Sequence, residues 1–256
     1  MNQPAYEQNP PAGPSPAPPP TAGGQEHSDA EPPYSRANPS PRYRELTAFY
    51  REMHENGVPD QGIAAAETFD GRSLGIHAPI IRNIVSVLGS KTLFDYGAGK
   101  GTQYGPARIT ATDGREYPDL GTFLGVDSIT CYDPGYAPFN SLPTDTFDGV
   151  ISTDVLEHCP VEDVPWIVDE IFSFADEFVY LNVACYPAKK LLPNGENAHC
   201  TIEPPEWWKG HFDRALATRP GLRYYAVFYV PETQPDGSDG MGQVVIQEKV
   251  SGTKPS

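Results

Sequence analysis

The stretch TLFDYGAGKG, residues 92–101, decides the fold of this chain. It runs from apolar and β-prone residues into an acid, Asp95, after which Gly97, Gly99 and Gly101 follow at alternate positions. Glycine has no Cβ and tolerates positive φ, so a turn of this composition lets a ligand come close to the backbone. The stretch therefore predicts a strand that ends in a ligand-binding turn.

The spacing of this acid and these glycines resembles the first motif of the class I S-adenosylmethionine-dependent methyltransferases. Dinucleotide-binding proteins carry G-x-G-x-x-G instead, and that motif would need a glycine where Thr102 stands. The third glycine, Gly101, stands one residue earlier than in the dinucleotide motif. This spacing favours S-adenosylmethionine over a dinucleotide as the ligand. The resemblance covers roughly residues 76–250.

The resemblance implies an α/β fold built on a doubly wound, mostly parallel, Rossmann-like sheet. Such a sheet has seven strands, or six if an edge is trimmed, and its last strand is antiparallel. The resemblance also implies S-adenosyl-L-methionine as the cofactor. The candidate cofactor contacts are Asp95, Gly97, Ala98, Gly99, Gly101, Gln103, Asp133, Thr153 and Asp154.

Asp133 ends the predicted second strand, where methyltransferases similar to this chain place a carboxylate on the two ribose hydroxyls. It lies 34 residues after Gly99, farther than the roughly 20 residues usual in nucleotide-binding βαβ units. An insertion over residues 102–127 accounts for the excess. An aspartate before Pro134 and Gly135 is also a common turn former, and this alternative stays open.

Hydrophobic periodicity and turn residues predict the other elements. Helices are predicted over residues 43–56, 76–88 and 207–218, near residue 102, and from about residue 161 onward. Further strands are predicted over residues 128–132, 147–154, 178–184, 222–230 and 241–250. Only 14 residues separate Asp133 from Asp148, too few for a helix and another strand. Residues 134–146 are therefore predicted to be a loop at a trimmed sheet edge.

Composition divides the chain into a leader and one domain. Residues 1–41 hold 12 of the 29 prolines and almost no aliphatic residue besides alanine. Such a segment cannot bury enough apolar surface to offset its ordering entropy, so a disordered leader is predicted. The methyltransferase domain is predicted over residues 42–256, with N-terminal helices in 42–90 and the Rossmann-like core in 91–256. The proline run at residues 16–20 can dock a protein partner, or it is simply solvated.

The charge of the chain narrows the choice of partners. With 34 acidic and 18 basic residues, the net charge is −16, which disfavours nucleic acids and anionic membranes. The sequence shows neither a signal peptide nor an apolar run long enough to span a membrane. We therefore expect a cytoplasmic protein that acts on a small molecule.

Two histidines are the candidate bases for an acceptor that must lose a proton during methyl transfer. His158 follows the predicted fourth strand, and His199 lies in a polar segment after the fifth, where Glu203 is a candidate to orient it. Ordinary packing or capping roles remain the alternative for each. Methyl transfer needs mainly an in-line position for the attacking atom, so binding residues are easier to nominate than catalytic ones.

The same polar segment supplies the candidate substrate contacts Asn197, Trp207 and Trp208. The two tryptophans offer flat apolar walls, although they can equally anchor the helix that follows. No metal site is predicted, because zinc ligands are usually two to five residues apart and the His–Cys pairs at 158–159 and 199–200 are adjacent.

The sequence thus predicts a methyltransferase that acts on a small molecule, at oxygen or nitrogen more readily than at carbon. Two alternatives stay open. The first is a non-catalytic binding or scaffold protein that keeps the methyltransferase fold. The second is an NAD(P)-dependent oxidoreductase, which the early third glycine argues against.

Overall fold

The computed structural model describes residues 34–233 and 239–248. The predicted leader as far as residue 33 lies outside these residues, as does its proline run, so both stay predictions. None of the helices in the described residues is long and apolar enough to cross a bilayer.

Residues 34–40 belong to the folded structure, which corrects the predicted leader boundary at residue 41. The guanidinium of Arg36 donates hydrogen bonds to Glu170 Oε2 at 2.8 Å and to the hydroxyl of Tyr96 at 2.9 Å. It also lies 4.8 Å from the ring centre of Trp166. Composition cannot reveal an anchor of this kind, because Glu170, Tyr96 and Trp166 are all distant from Arg36 in sequence.

The predicted helices and strands are present, with ends shifted by a few residues. The helices are α1 (Pro41–Asn56), α2 (Arg72–Leu88), α3 (Leu120–Leu124), α4 (Val164–Ser173) and α5 (Pro205–Ala217). The strands are β1 (Thr92–Tyr96), β2 (Ile109–Thr110), β3 (Glu116–Tyr117), β4 (Ser128–Tyr132), β5 (Phe147–Thr153), β6 (Ala175–Ala184), β7 (Arg223–Thr233) and β8 (Asp239–Glu248). The predicted insertion contains α3 and the antiparallel pair β2–β3, and the predicted helix near residue 102 is a short 3-10 helix.

Local signals explain the ends of the first two helices. The Ser40 hydroxyl accepts the backbone N–H of Tyr43 at 2.9 Å, which caps the N-terminus of α1, and Gly57 with φ of 75° ends it. Helix α2 begins at Arg72, four residues before the predicted start, directly after Gly71 in the left-handed conformation.

Six strands form the main sheet in the order β4-β1-β5-β6-β7-β8. Neighbours are parallel except β7 and β8, which are antiparallel. Leu93 and Phe94 pack into separate apolar clusters on opposite faces of the sheet, the first with α2 and α3 and the second with α4 and α5. The predicted fold class is confirmed: a doubly wound, mostly parallel, Rossmann-like sheet trimmed to six strands, with an antiparallel last strand.

Strand β4 lies at the edge of the sheet, because residues 134–146 hold only a short 3-10 turn at Ala137–Phe139. The prediction of a trimmed edge is therefore confirmed. Since β4, β1, β5 and β6 run in the same direction, their carboxyl ends meet at one rim, which is where sheets of this architecture bind ligands.

Candidate active site

A cavity of about 600 Å³ opens at this rim. Its floor comes from the turns after β1, β4 and β5. Its other walls come from α1, from residues 67–74, and from the segments that contain Tyr186 and His199. Ten of the predicted site residues line it: Asp95, Gly97, Ala98, Gly99, Gln103, Asp133, Thr153, Asp154, His158 and His199.

The turn after β1 needs its glycines for two reasons. The φ angles of Gly97, Gly99 and Gly101 are 89°, 58° and 65°, in the region that side chains disfavour. In addition, a Cβ at Gly97 would lie 2.3 Å from Val155, and one at Gly99 would lie 2.7 Å from the carbonyl oxygen of Phe69. The turn therefore fits tightly between β5 and the segment before α2, and its backbone faces the cavity.

Gly101 differs from the other two glycines in its surroundings. A Cβ there would meet the Phe139 ring at 2.8 Å and Cys131 Sγ at 3.5 Å, and Gly101 does not line the cavity. Its glycine character therefore serves the packing of the turn against the loop after β4.

Asp95 is buried beneath the turn. Its Oδ2 accepts hydrogen bonds from the Tyr104 hydroxyl at 2.7 Å and from Gln103 Nε2 at 3.2 Å. Gln103 also donates to the carbonyl of Ala98 at 3.2 Å, so the carboxyl group holds the turn through one intermediate side chain. Burial raises the pKa of Asp95 to about 7, against the opposing effect of these two hydrogen bonds.

The raised pKa of Asp95 predicts a pH-dependent stability that Asp95→Asn removes. An unfolded aspartate ionises near pH 3.9, so between about pH 4 and 7 the unfolded chain releases a proton that the folded chain retains. The wild-type free energy of unfolding therefore falls across this window and levels off above it. Urea titrations at pH 5 and pH 8 measure this change. Between these two pH values, the free energy of unfolding of Asp95→Asn should rise by about 2–3 kcal/mol relative to that of wild type. A difference that does not change with pH would contradict the prediction.

Asp133 joins the second turn to the first. Its Oδ2 accepts the backbone N–H of Gly99 at 3.0 Å, and its Oδ1 accepts that of Gly135 at 2.8 Å. His54 Nε2 lies 3.6 Å from Oδ1. The aspartate thus forms the turn that its sequence context suggests, and it lines the cavity as well.

Asp154 follows β5 in a strained conformation. Its φ is 61°, and its backbone N–H donates to the carbonyl of Asn182 at 3.2 Å. The side chain is exposed in the cavity. Strained backbone outside glycine is concentrated at functional sites, where the surrounding structure maintains it.

The two predicted histidines lie together, with ring centres 4.8 Å apart and planes at 85°. His158 Nδ1 is 2.9 Å from the carbonyl oxygen of Ala198 and 2.9 Å from the Tyr50 hydroxyl. His199 Nδ1 is 2.5 Å from the carbonyl oxygen of Tyr186. A carbonyl oxygen only accepts, so each Nδ1 carries the proton and each Nε2 carries the lone pair. Burial lowers the pKa of His158 to about 4, with Asp154 opposing and His199 reinforcing the shift.

Five predicted site residues lie outside the cavity lining: Gly101, Asn197, Glu203, Trp207 and Trp208. Trp208 is fully buried in the core, and its Nε1 donates to the carbonyl of Glu203 at 3.2 Å. The tryptophans therefore anchor α5, which is the alternative that the sequence left open. Glu203 lies just before α5 and outside the cavity lining, and it is the carbonyl of Tyr186 that contacts His199 Nδ1.

Asn197 acts on the loop that carries His199. Its Oδ1 accepts the backbone N–H of His199 at 3.0 Å and that of Ala188 at 2.9 Å. Its Nδ2 donates to the carbonyl of Ala188 at 2.9 Å. The amide thus fixes the position of the histidine without lining the cavity.

Sequence reasoning missed several lining residues on the N-terminal side, among them Tyr50, His54 and Phe69. Rings of His54 and Phe69 lie 4.4 Å apart. Lys190 Nζ lies 4.8 Å from the centre of the Phe69 ring, and burial lowers its pKa. The spacing of the apolar residues in α1 indicates an amphipathic helix. This spacing does not distinguish the residues that face the cavity from those that face the core.

The charged residues of the lining are mostly acidic. The acids are Glu67, Asp70, Asp95, Asp133 and Asp154, and the two lysines are Lys189 and Lys190. The cavity therefore favours a ligand that carries positive charge.

Comparison with known proteins gives a distant likeness among solved structures. No family model matches the sequence, and no curated protein matches it. Among solved structures, the chain is similar to a DhpI-SAH complex, at 11% identity over 80% of this chain and 79% of that one, with a TM-score of 0.31. At these values the fold assignment comes from the order and direction of the strands, not from this likeness.

Proposed function

We propose that this protein is a class I S-adenosylmethionine-dependent methyltransferase that methylates an oxygen or nitrogen atom of a small molecule. The main support is that a turn of positive-φ glycines, braced by the carboxylate after the neighbouring strand, faces a cavity of about 600 Å³. This volume is in the range of small-ligand sites. The domain extends from residue 34 onward, and we propose a cytoplasmic location.

In this proposal the donor lies along the rim of the sheet. Its methionine part lies against the bare backbone of Gly97 and Gly99. Asp133 accepts the two ribose hydroxyls with the lone pairs that its bonds to Gly99 and Gly135 leave free. Thr153 and Asp154 form the wall between the donor and the acceptor.

The acceptor lies beside the histidine pair. His158 is neutral at pH 7, since burial lowers its pKa to about 4, and an imidazole Nε2 with a free lone pair can take the proton of an attacking hydroxyl or amine. The acidic lining near the donor suits a sulfonium cation, whereas Lys189 and Lys190 suit an acceptor with a negative or electron-rich group.

Asp133→Ala tests the donor assignment by calorimetric titration with S-adenosylmethionine. Hydrogen bonds to a charged group contribute about 1.5–3 kcal/mol each, so losing both ribose contacts should weaken binding by about 100-fold or more. Asp145→Ala is the matched control, because Asp145 is an exposed acid in the loop that follows Asp133, and it should bind like wild type.

Other outcomes of that titration separate the alternatives. Equal affinities of wild type and Asp133→Ala would remove Asp133 from the site, and a wild-type protein that binds no donor would refute the proposal. Binding of reduced nicotinamide dinucleotide instead would support an oxidoreductase. Donor binding without methyl transfer to any fraction of cell metabolites would support a scaffold protein.

A further inference from the structure

Asp154, His158 and His199 form a cluster at the mouth of the cavity, in which one ligand atom of each residue lies within 4.8 Å of the other two. Asp154 and His158 follow β5, and His199 follows β6. We propose that these three side chains bind a divalent transition metal ion. Two imidazoles and one carboxylate suit such ions and leave coordination positions open for a further ligand.

The hydrogen bonds of the two imidazoles support this proposal. Both Nδ1 atoms are engaged by backbone carbonyls, that of Ala198 for His158 and that of Tyr186 for His199. Within the described residues, neither Nε2 has a hydrogen-bond partner. Histidines that bind metals usually donate their second ring N–H to a carbonyl or carboxylate, which fixes the tautomer and turns the lone pair to the ion.

The third ligand is also available. Among residues 34–233 and 239–248, no side chain forms a hydrogen bond or ion pair with the carboxylate of Asp154. The backbone of Asp154 is held in its strained conformation by the Asn182 carbonyl. Ligand atoms around a zinc ion at about 2.1 Å are roughly 3.4 Å apart, so the three atoms, which lie within 4.8 Å of one another, need to approach by at most about 1.4 Å to hold an ion.

The surrounding structure holds the histidines in place. Asn197 binds the backbone of the His199 loop. Glu157, which is fully buried, accepts the backbone N–H of Ala184 at 2.6 Å and so joins the segment of His158 to the end of β6. Supporting contacts of this kind are characteristic of metal sites, whose ligands must be positioned before the ion binds.

The sequence predicts no metal here, because the two residues of each His–Cys pair, at 158–159 and 199–200, are adjacent. The fold instead combines one histidine from each pair with an aspartate. The cysteine partners do not belong to the cluster.

The role of the ion rests on the proposed function, although its binding does not. A hydroxyl of the acceptor that binds an open position loses its proton to water more readily, because the cation lowers the hydroxyl pKa. The resulting oxygen attacks the methyl carbon of the sulfonium, the C–O bond forms, and the C–S electron pair returns to sulfur. With the ion bound, the histidines hold the ion instead of taking the proton.

Titration of EDTA-treated, dialysed full-length protein with Co²⁺ tests the site through calorimetry and visible absorption. We expect one ion per chain and a d–d absorption band. Asp154→Asn and His199→Ala each change a direct ligand, so each should weaken binding by at least the roughly 10–100-fold that losing an outer partner of a ligand costs. His211→Ala is the matched control, since His211 lies on α5 beside Trp207, and its affinity should equal that of wild type.

The outcomes separate the cation site from the donor site. Failure of wild type to bind Co²⁺, or equal binding by Asp154→Asn and wild type, overturns the cation site. If His199→Ala does not fold, the titration of Asp154→Asn still tests the cation site. We expect this variant to fold, because Asp154 is exposed and asparagine tolerates the same positive φ. A protein that binds S-adenosylmethionine but not Co²⁺ retains the proposed function, and one that binds only Co²⁺ retains only the cation site.

Discussion

Gly99→Arg is expected to eliminate measurable binding of S-adenosylmethionine while the protein remains folded. A Cβ at this position would lie 2.7 Å from the Phe69 carbonyl oxygen and 2.9 Å from Phe69 Cβ. The rest of the arginine has to enter the cavity or displace its wall. Binding should fall by about 1,000-fold or more, because a ligand loses both its space and the hydrogen-bonded backbone of the turn. Calorimetric titration measures the loss.

Gly114→Arg is the matched control for this variant. Gly114 also has a positive φ, 80°, but a Cβ there would meet no atom within 4 Å. It carries the same backbone penalty without obstruction of the cavity, so its donor affinity should equal that of wild type. Circular dichroism and urea unfolding should show that both variants fold. The free energy of unfolding of Gly99→Arg should be about 1–3 kcal/mol lower than that of wild type. Donor binding by a folded Gly99→Arg protein would contradict the proposed position of the donor.

Arg36→Ala is expected to lower the free energy of unfolding by about 2–3 kcal/mol. The guanidinium pairs with Glu170, whose side chain is only 13% exposed, while that of Arg36 is 35% exposed. Removing one partner of a fully buried ion pair costs about 3–5 kcal/mol, and the partial exposure of Arg36 reduces this value. Loss of its contact with the Trp166 ring adds to the effect. Urea unfolding at pH 7 measures the change.

Two further variants identify the cause. Arg36→Lys keeps the charge but loses the planar fork that reaches Glu170 and Tyr96 together, so an intermediate loss is expected. Arg44→Ala removes an exposed arginine that donates to Asn38 at 3.2 Å, and it should change stability by less than about 0.5 kcal/mol. If Arg36→Ala matched Arg44→Ala, the side chain of Arg36 would contribute nothing measurable to the stability of the fold.

The fold could be predicted from sequence because its signals are local. The alternation of apolar and polar residues, together with the turn residues that follow, predicts the bounds of β4, 128–132, correctly. The small number of residues between Asp133 and Asp148 predicts the trimmed edge of the sheet. Arg36 could not be found in this way. It lies in a proline-rich context, and its partner Glu170 is 134 residues away.

The candidate site was predictable in its parts but not in its assembly. His158 and His199 stood out as polar residues after strands, yet their contact depends on how two loops meet over one rim. Trp207 and Trp208 looked like substrate walls, but the helical register of α5 directs Trp208 into the core. Glu203 precedes that helix and does not line the cavity, and His199 Nδ1 contacts the Tyr186 carbonyl instead.

The acidic lining has a consequence for product inhibition. In the proposed reaction the sulfonium donor becomes a neutral thioether, so the spent molecule carries one positive charge fewer than the fresh one. The acids of the lining outnumber its two lysines, even though burial keeps Asp95 partly protonated at neutral pH. The net negative charge attracts the fresh molecule more strongly and so helps the spent one to leave. Dissolved salt screens this attraction. The advantage of the fresh molecule therefore shrinks as ionic strength rises, and in the proposed reaction the protein distinguishes the two best in dilute buffer.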